Sequence, residues 1–189
     1  DKINHAYSFG RAAMSMDSLE KYLDIPIDHY AAINLKGIQD LVNAVGGVTV
    51  NNDLAFTIDG IPFDIGQIEL NGEEALAFVR MRYDDPRGDY GRQERQRLVI
   101  QGIMQKLISI NSMTKYQSIL DALSDNMKTD MDFGTMQTIA LDYRDAFSTI
   151  QMDQLQGEGF MQDGVSYQRV SDEELTRVQA ELKDQMGLN

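Results

Sequence analysis

Segments with helical periodicity alternate along this chain with short strand-like runs, and the residues between them are specific punctuation. Asn4 to about Leu23 carries Ala6, Phe9 and Ala13 on one side, with Met16, Leu19 and Leu23 continuing the apolar pattern until Pro26 closes it. Ile27 to Leu35 reads as a strand and Gly37 to Val45 as a short amphipathic helix. Gly46-Gly47 fits a left-handed C-terminal cap, with a strand at Val48-Thr49-Val50 behind it. Residues 51–66 are loop-rich. Asn71 with Glu74 forms a capping-box pattern ahead of Ala75–Val79. Residues 84–91 (DDPRGDYG) have the chemistry of turns, and a long helix is expected from about Arg92 to Ile110. Further helices are expected at Thr114–Met127 and Thr135–Phe147, and short strands at Ile150–Leu155 and Val165–Val170. Ser171 with Glu174, a second capping box, opens a last helix towards Met186. Such alternation argues for a layered α/β sandwich. The chain shows no repeat, low-complexity tract or linker, and 189 residues suit a single domain spanning 1–189.

Composition narrows the function. Seventeen basic against thirty acidic residues give a net charge of −13, which counts against nucleic-acid binding, where affinity comes from neutralising phosphates. Hydrophobic residues at 42% supply a core that a disordered chain lacks. There is no cysteine, so disulfides and thiolate metal sites are excluded. His5 and His29 are the only histidines, so a multi-histidine metal centre is excluded too. No run approaches the ~18 apolar residues of a membrane span. The start Asp1-Lys2-Ile3-Asn4 is neither a signal peptide nor an initiator methionine, which is the expectation for a piece of something longer.

Charge is unevenly placed. Six of ten arginines (Arg80, Arg82, Arg87, Arg92, Arg95 and Arg97) fall between positions 80 and 97, where there is no lysine. With Asp84, Asp85, Asp89 and Glu94 the window carries +2, against −15 for the remainder. Arginine keeps its charge and makes paired hydrogen bonds to phosphate or carboxylate. If Arg80-Met81-Arg82 is extended, both guanidinium groups lie on one face and Met81 on the other. Arg92, Arg95, Gln96 and Val99 recur at helical spacing, and Ile103 and Leu107 extend the stripe. A face that turns inward yet begins with two arginines must meet fixed anions, either acids of the fold or a ligand. Exposed N–H groups in the first helical turn favour the ligand. Asp89, in the preceding turn, is open to four roles: cap, ion-pair partner, metal ligand or proton acceptor.

The runs AINLKGIQDLVNAVGGVTV and LNGEEALAFVRMRYDDPRGDYGRQERQ, with KINHAYSFG before them, resemble the LytR–CpsA–Psr family of bacterial cell-wall phosphotransferases over about positions 2–108. The resemblance implies a three-layer α/β/α sandwich with a mixed central sheet, its interior holding a prenyl chain. It implies a magnesium-assisted enzyme on the extracytoplasmic face of the cell membrane of Gram-positive-type bacteria, anchored by an N-terminal helix absent from this chain. The implied reaction moves a phosphorylated glycopolymer, such as teichoic acid or capsular polysaccharide, from a polyprenyl-diphosphate carrier to a peptidoglycan acceptor. Position by position, Arg80 and Arg82 match the family's RxR, expected to grip the diphosphate. Asp89, Arg92 and Gln96 match its DxxR…Q set, and Arg95 the arginine beside that glutamine. Asp89 and Arg92 are thereby the expected catalytic pair. Val99, Ile103 and Leu107 form a candidate lipid surface. The expected metal ligands lie on strands upstream of Asp1, so this chain alone is expected to be incompletely equipped. A non-catalytic polyprenyl-phosphate-binding module and a pyrophosphatase are the alternative readings.

Overall fold

The structure is a computed structural model that describes residues 2–110, 113–123, 125–143 and 151–188. In chain order its main elements are α1 (Ala6–Leu23), β1 (Ala31–Ile33), α2 (Leu35–Ala44), β2 (Val48–Asn52), β3 (Phe56–Ile58), β4 (Ile61–Phe63), β5 (Gly66–Leu70) and α3 (Gly72–Arg80). There follow α4 (Asp89–Ile108), α5 (Met113–Leu123), β6 (Met127–Thr129), α6 (Phe133–Asp142), β7 (Glu158–Gln162), β8 (Val165–Arg169) and α7 (Asp172–Met186). The α/β class expected from the alternation holds. Its strands form four two-stranded antiparallel ladders, and no mixed central sheet assembles among the described residues. The chain divides into two compact units, 1–30 with 152–189, and 31–151.

The unit 31–151 holds the arginine window. Asn34 caps α2 by accepting from Gly37 N at 2.7 Å, and Gly46 and Gly47 end it with φ of 85° and 88°, as a left-handed cap requires. β2 then runs against β5, Val48 opposite Leu70 and Asn52 opposite Gly66. Val48, Val50 and Asn52 point inward, the period of two expected of a strand with one covered face. Buried Asn52 donates to the carbonyls of Leu54 (2.6 Å) and Asp64 (2.8 Å), holding the ends of the β3–β4 hairpin together. That hairpin lies inside the stretch read as loop-rich; its strands are three residues long, too short to show alternation. Its Asp59-Gly60 turn has φ of 52° and 80°, and Phe56, Phe63 and Phe78 stack behind it with ring centroids 4.9–5.7 Å apart.

The Asn71–Glu74 capping box is complete, with both reciprocal bonds formed, and it starts α3. Gly72 lets α3 approach α2, since a Cβ there would lie 2.3 Å from the Gln39 carbonyl oxygen. α4 packs across β2, with Val99 and Ile103 buried in the core cluster. Several boundaries differ from expectation. α4, expected from Arg92, starts at Asp89, so Asp89 stands in its first turn and not in the turn before it. The strand placed at Ile27–Leu35 is only Ala31–Ile33, paired with β6. The helix placed at Thr114–Met127 ends at Leu123, and Met127 begins β6 because ladder bonds to β1 outweigh local helical preference. α6 is described to Asp142; residues 144–150, including the rest of its expected span to Phe147, lie outside the described residues.

In the other unit, α1 is kinked at Gly10 and Arg11, the latter at φ 57°. Gln179 of α7 donates to the Tyr22 carbonyl at 2.8 Å, and Lys183 pairs with Asp24. The β7–β8 hairpin turns at Asp163-Gly164 and stacks Phe160 on Tyr167 with centroids 5.4 Å apart. β7 was not expected from the sequence, and Met152–Leu155 are not a strand. Ser171 caps α7, but the Glu174 carboxylate turns away to accept from Gln156 N at 3.0 Å, so the second capping box is half formed. Among the described residues no helix is long and apolar enough to cross a membrane.

Candidate functional site

The site begins where α3 ends. Met81 N donates to the Ala77 carbonyl at 3.3 Å, after which Met81 turns extended (φ −57°, ψ 133°) and its side chain enters the core at 2% exposure. Arg80 and Arg82 on either side are exposed. The in–out alternation expected of an extended RxR is therefore present, produced by a helix terminus and not by a strand. Arg80 leans towards Asp59 at the hairpin tip, with Nη1 3.8 Å from Oδ2. Arg82 has no hydrogen bond or ion pair among the described residues, and its charge acts on Asp89.

The turn after Arg82 is built around Asp85, whose side chain is fully buried. Oδ2 accepts from Arg95 Nη1 at 2.5 Å and from Arg87 Nη2 at 3.1 Å. Oδ1 accepts from Arg87 N at 2.9 Å and from Arg87 Nε at 3.1 Å. Burial alone would push this carboxyl up; the hydrogen bonds from Arg87 and Arg95 prevail and hold it well below the usual aspartate range. Arg87 reaches on to Asp53, donating to both carboxylate oxygens at 2.7 and 3.0 Å, and the two acids raise its own affinity for the proton. Gly88, at φ 58°, reverses the chain into α4. Gly91 is required by packing: a Cβ there would lie 1.8 Å from Asp85 Oδ2.

The first turn of α4 carries the second half of the site. Asp89 Oδ1 accepts from Arg92 Nε at 2.9 Å and Nη2 at 2.7 Å, and its Oδ2 accepts from Gln93 Nε2 at 2.9 Å. Asp89 and Arg92 keep about a third of their side chains exposed. Partial burial pushes the Asp89 carboxyl up, but Gln93, Arg92 and the Arg82 charge together bring it below its ordinary value. It is ionised at neutral pH. Gln96, one turn further, is half-buried.

The residues expected to share one face of α4 divide. Arg92, bonded to Asp89, and Gln96 are half-buried, whereas Arg95 is buried at 2% exposure. Arg95 Nη2 donates to the Met81 carbonyl at 2.7 Å, and its guanidinium lies 5.6 Å from the Phe56 ring centroid. Direct diphosphate contact by Arg95, expected from the sequence, is not what this placement provides. Val99 and Ile103 are buried in the core and Leu107 packs against it, so the candidate lipid stripe is core packing here. His5 packs edge-on against Phe9 in the other unit, 6.3 Å between centroids. Asp53 was missed by sequence reasoning: its link to Arg87 spans 34 positions and no local spacing announces it.

Among the described residues no three acid or imidazole groups converge as metal ligands, and the two acids nearest the arginines are bonded to guanidinium groups. These residues do not by themselves fit a magnesium ion. What they form is an arginine-rich surface: exposed Arg80 and Arg82 on one segment and Arg92 beside ionised Asp89 on the next, above the buried Asp85–Arg95 pair.

The class these elements define is an α/β protein that gathers arginines around a carboxylate at the start of a helix. The LytR_cpsA_psr family model matches residues 1–184, and the chain belongs to that family. A relative from Enterococcus faecalis, named polyisoprenyl-teichoic acid–peptidoglycan teichoic acid transferase TagU, is 64% identical over 99% of this chain and 62% of its own length. The crystal structure of Bacillus subtilis TagU superposes with a TM-score of 0.77 at 40% identity, covering 97% of this chain and 76% of that one. A structure of TagT bound to LIIa-WTA matches with a TM-score of 0.79 at 27% identity, covering 99% of this chain and 72% of that one. The chain spans about three-fifths of the length of the curated relatives it matches, 62% and 61% for the two TagU proteins from Enterococcus faecalis and Bacillus subtilis.

Proposed function

We propose that this chain carries the arginine half of a transferase site that moves a teichoic-acid-type glycopolymer from a polyprenyl-diphosphate carrier to a peptidoglycan hydroxyl, at the outer face of the cell membrane. The observation that carries the reading is the placement of Arg82 and Arg92 around ionised Asp89. The names of the TagU relatives and the ligand of the TagT structure support the choice of polymer and acceptor.

Arg80, Arg82 and Arg92 bind the two phosphates, the planar fork of each offering parallel donors to phosphate oxygens. The acceptor hydroxyl attacks the phosphorus that bears the glycan. A new P–O bond forms to the acceptor, the bond to the bridging oxygen breaks, and polyprenyl monophosphate departs. Negative charge grows on that leaving phosphate, where fixed guanidinium groups stabilise it without reorganising. The hydroxyl proton passes to Asp89. In the free protein both Asp89 oxygens are engaged by Arg92 and Gln93, and phosphate competes for Arg92. Drawing Arg92 towards the ligand frees Oδ1 and relieves the depression of the Asp89 pKa, which makes a better base when substrate is present.

The test is incubation of a full-length protein containing this segment with a polyprenyl-diphosphate-linked glycopolymer, magnesium and peptidoglycan. The expected result is glycan on peptidoglycan with one polyprenyl phosphate released per transfer, reduced at least a hundredfold in Asp89→Asn, the order of a general-base contribution. Release without an acceptor would make the protein a pyrophosphatase. Binding with neither release nor transfer would make it a carrier module.

A further inference from the structure

Arg95 is the most buried cation of the arginine window, and direct ligand contact does not explain it. Its guanidinium is enclosed at 2% exposure, its two terminal nitrogens are bonded to Asp85 and to the Met81 carbonyl, and its Nε has no hydrogen-bond partner among the described residues. Holding a cation in the core is costly, and apolar residues of similar volume often replace a buried ion pair at no loss of stability. An arginine here therefore does something that packing alone does not require. The planar fork joins three pieces of chain: α4, on which it stands, the 84–88 turn through Asp85, and the Arg80–Arg82 segment through the carbonyl between those two arginines. That carbonyl lies just past the end of α3, where helix geometry leaves it without a partner.

We propose that Arg95 is a positioning residue: seated on buried Asp85, it fixes the Met81 carbonyl and so sets the spacing of Arg80 and Arg82 relative to Arg92 for a diphosphate. The proposal rests on the reading above that these arginines meet a diphosphate. Among the described residues the two exposed guanidinium groups flanking Met81 have no other ionic anchor of comparable rigidity: Arg80 pairs with Asp59 at 3.8 Å, and Met81 holds the strand-like turn from inside. Asp85 is the second member of the device, and Gly91 keeps the space that its carboxylate occupies. A shift of about 1 Å at such a support costs on the order of a hundredfold in a well-oriented site.

Lysine separates position from charge. Arg95→Lys keeps the positive charge next to Asp85, but a single ammonium does not reproduce the fork that spans Asp85 and the Met81 carbonyl. The control is Arg87→Met, which removes bonds to the same Asp85 and to Asp53 while leaving the Arg95–Met81 contact in place. Affinity for inorganic pyrophosphate, measured by titration calorimetry well below the melting temperature of each variant, is the readout. The expected result is a fall of about ten- to a hundredfold for Arg95→Lys, the scale of one misplaced charge-assisted hydrogen bond, and wild-type affinity for Arg87→Met, even though both melt lower. If Arg95→Lys does not fold, Asp85→Asn/Arg95→Met, which removes both buried charges together, is expected to show the same loss of affinity. Wild-type affinity in the folded Arg95 variant overturns the proposal, and so does an equal loss in Arg87→Met, because binding would then follow stability. Failure of the wild-type protein to bind pyrophosphate, or unchanged binding in Arg82→Ala, refutes the diphosphate reading itself and this proposal with it.

Discussion

Replacing Gly91 with alanine should destabilise the protein even though alanine is the better helix former. Gly91 stands in the first turn of α4, where the exchange on its own would gain up to about 1 kcal/mol. The new Cβ, however, would lie 1.8 Å from Asp85 Oδ2 and 2.3 Å from its Cγ, so the carboxylate must retreat by more than an ångström. It has no room to do so while bonded to Arg95 at 2.5 Å and to three donors of Arg87. Disrupting a buried ion pair costs about 3–5 kcal/mol, which leaves a net loss of roughly 2–4 kcal/mol. For a chain of this size that is a fall in melting temperature of roughly 5–15 °C, readable by calorimetry or urea denaturation. The sign should reverse in the Asp85→Ala background: with the carboxylate gone, Gly91→Ala adds only its helical preference and raises stability by up to about 1 kcal/mol. A Gly91→Ala protein as stable as the wild type, or a second substitution that costs the same in both backgrounds, would refute the account of Asp85 as an immovable buried carboxylate.

Two further outcomes follow from the same geometry. Because the folded-state pKa of Asp85 lies well below its unfolded value, the stability it supplies is fully present above about pH 4 and drains away as the pH falls towards the folded value. The melting difference between wild type and Asp85→Asn should therefore be constant from pH 5 to 8 and shrink below pH 4; a difference that grows on acidification would contradict the assignment. Asn71→Ala removes the acceptor of the Glu74 N–H at the head of α3 and should cost about 1 kcal/mol in urea titrations, with pyrophosphate binding unaffected.

Local chemistry was legible in the sequence. The Gly46-Gly47 cap and the Asn71–Glu74 box stand where their residues place them, because each depends on neighbours within four positions; the long α4 was legible too, but it starts three residues early, at Asp89. The errors fall where distant partners decide. β1 is cut to three residues by the length of β6, which occupies what reads as the end of a helix, and β3–β4 forms in a stretch with no periodicity because Phe78 offers its strands a surface. The same holds at the site. That arginines cluster between 80 and 97 was plain, as was the need of buried arginines for fixed anions; which arginine takes which anion was not. Arg92 finds Asp89 three positions away, but Arg87 finds Asp53, and helical spacing alone does not separate half-buried Arg92 and Gln96 from buried Arg95.

The pairing pattern bears on how, under the proposed function, an acidic protein would take hold of a polyanionic glycopolymer. Arg95 and Arg87 are bonded to buried Asp85, and Arg97 pairs with Glu94 nearer the surface, so three of the six arginines are already matched to acids. The remaining three face Asp59 and Asp89, which leaves little net positive field to project beyond the surface. With a net charge of −13 and screening over about 8–10 Å in physiological salt, attraction of the polymer at long range is not available to this chain. Under the proposed function, recognition would instead arise at contact, where a diphosphate displaces the weak partners of Arg80 and Arg92 and meets Arg82, which makes no hydrogen bond or ion pair among the described residues. Exposed ion pairs of this kind hold their arginines by only about 0.2–1 kcal/mol each, so exchange for a doubly charged, bidentate ligand is favourable. The bonds of Arg87 and Arg95 to buried Asp85 do not exchange in this way, and that difference would let one short stretch of chain serve as both scaffold and site under the proposed function.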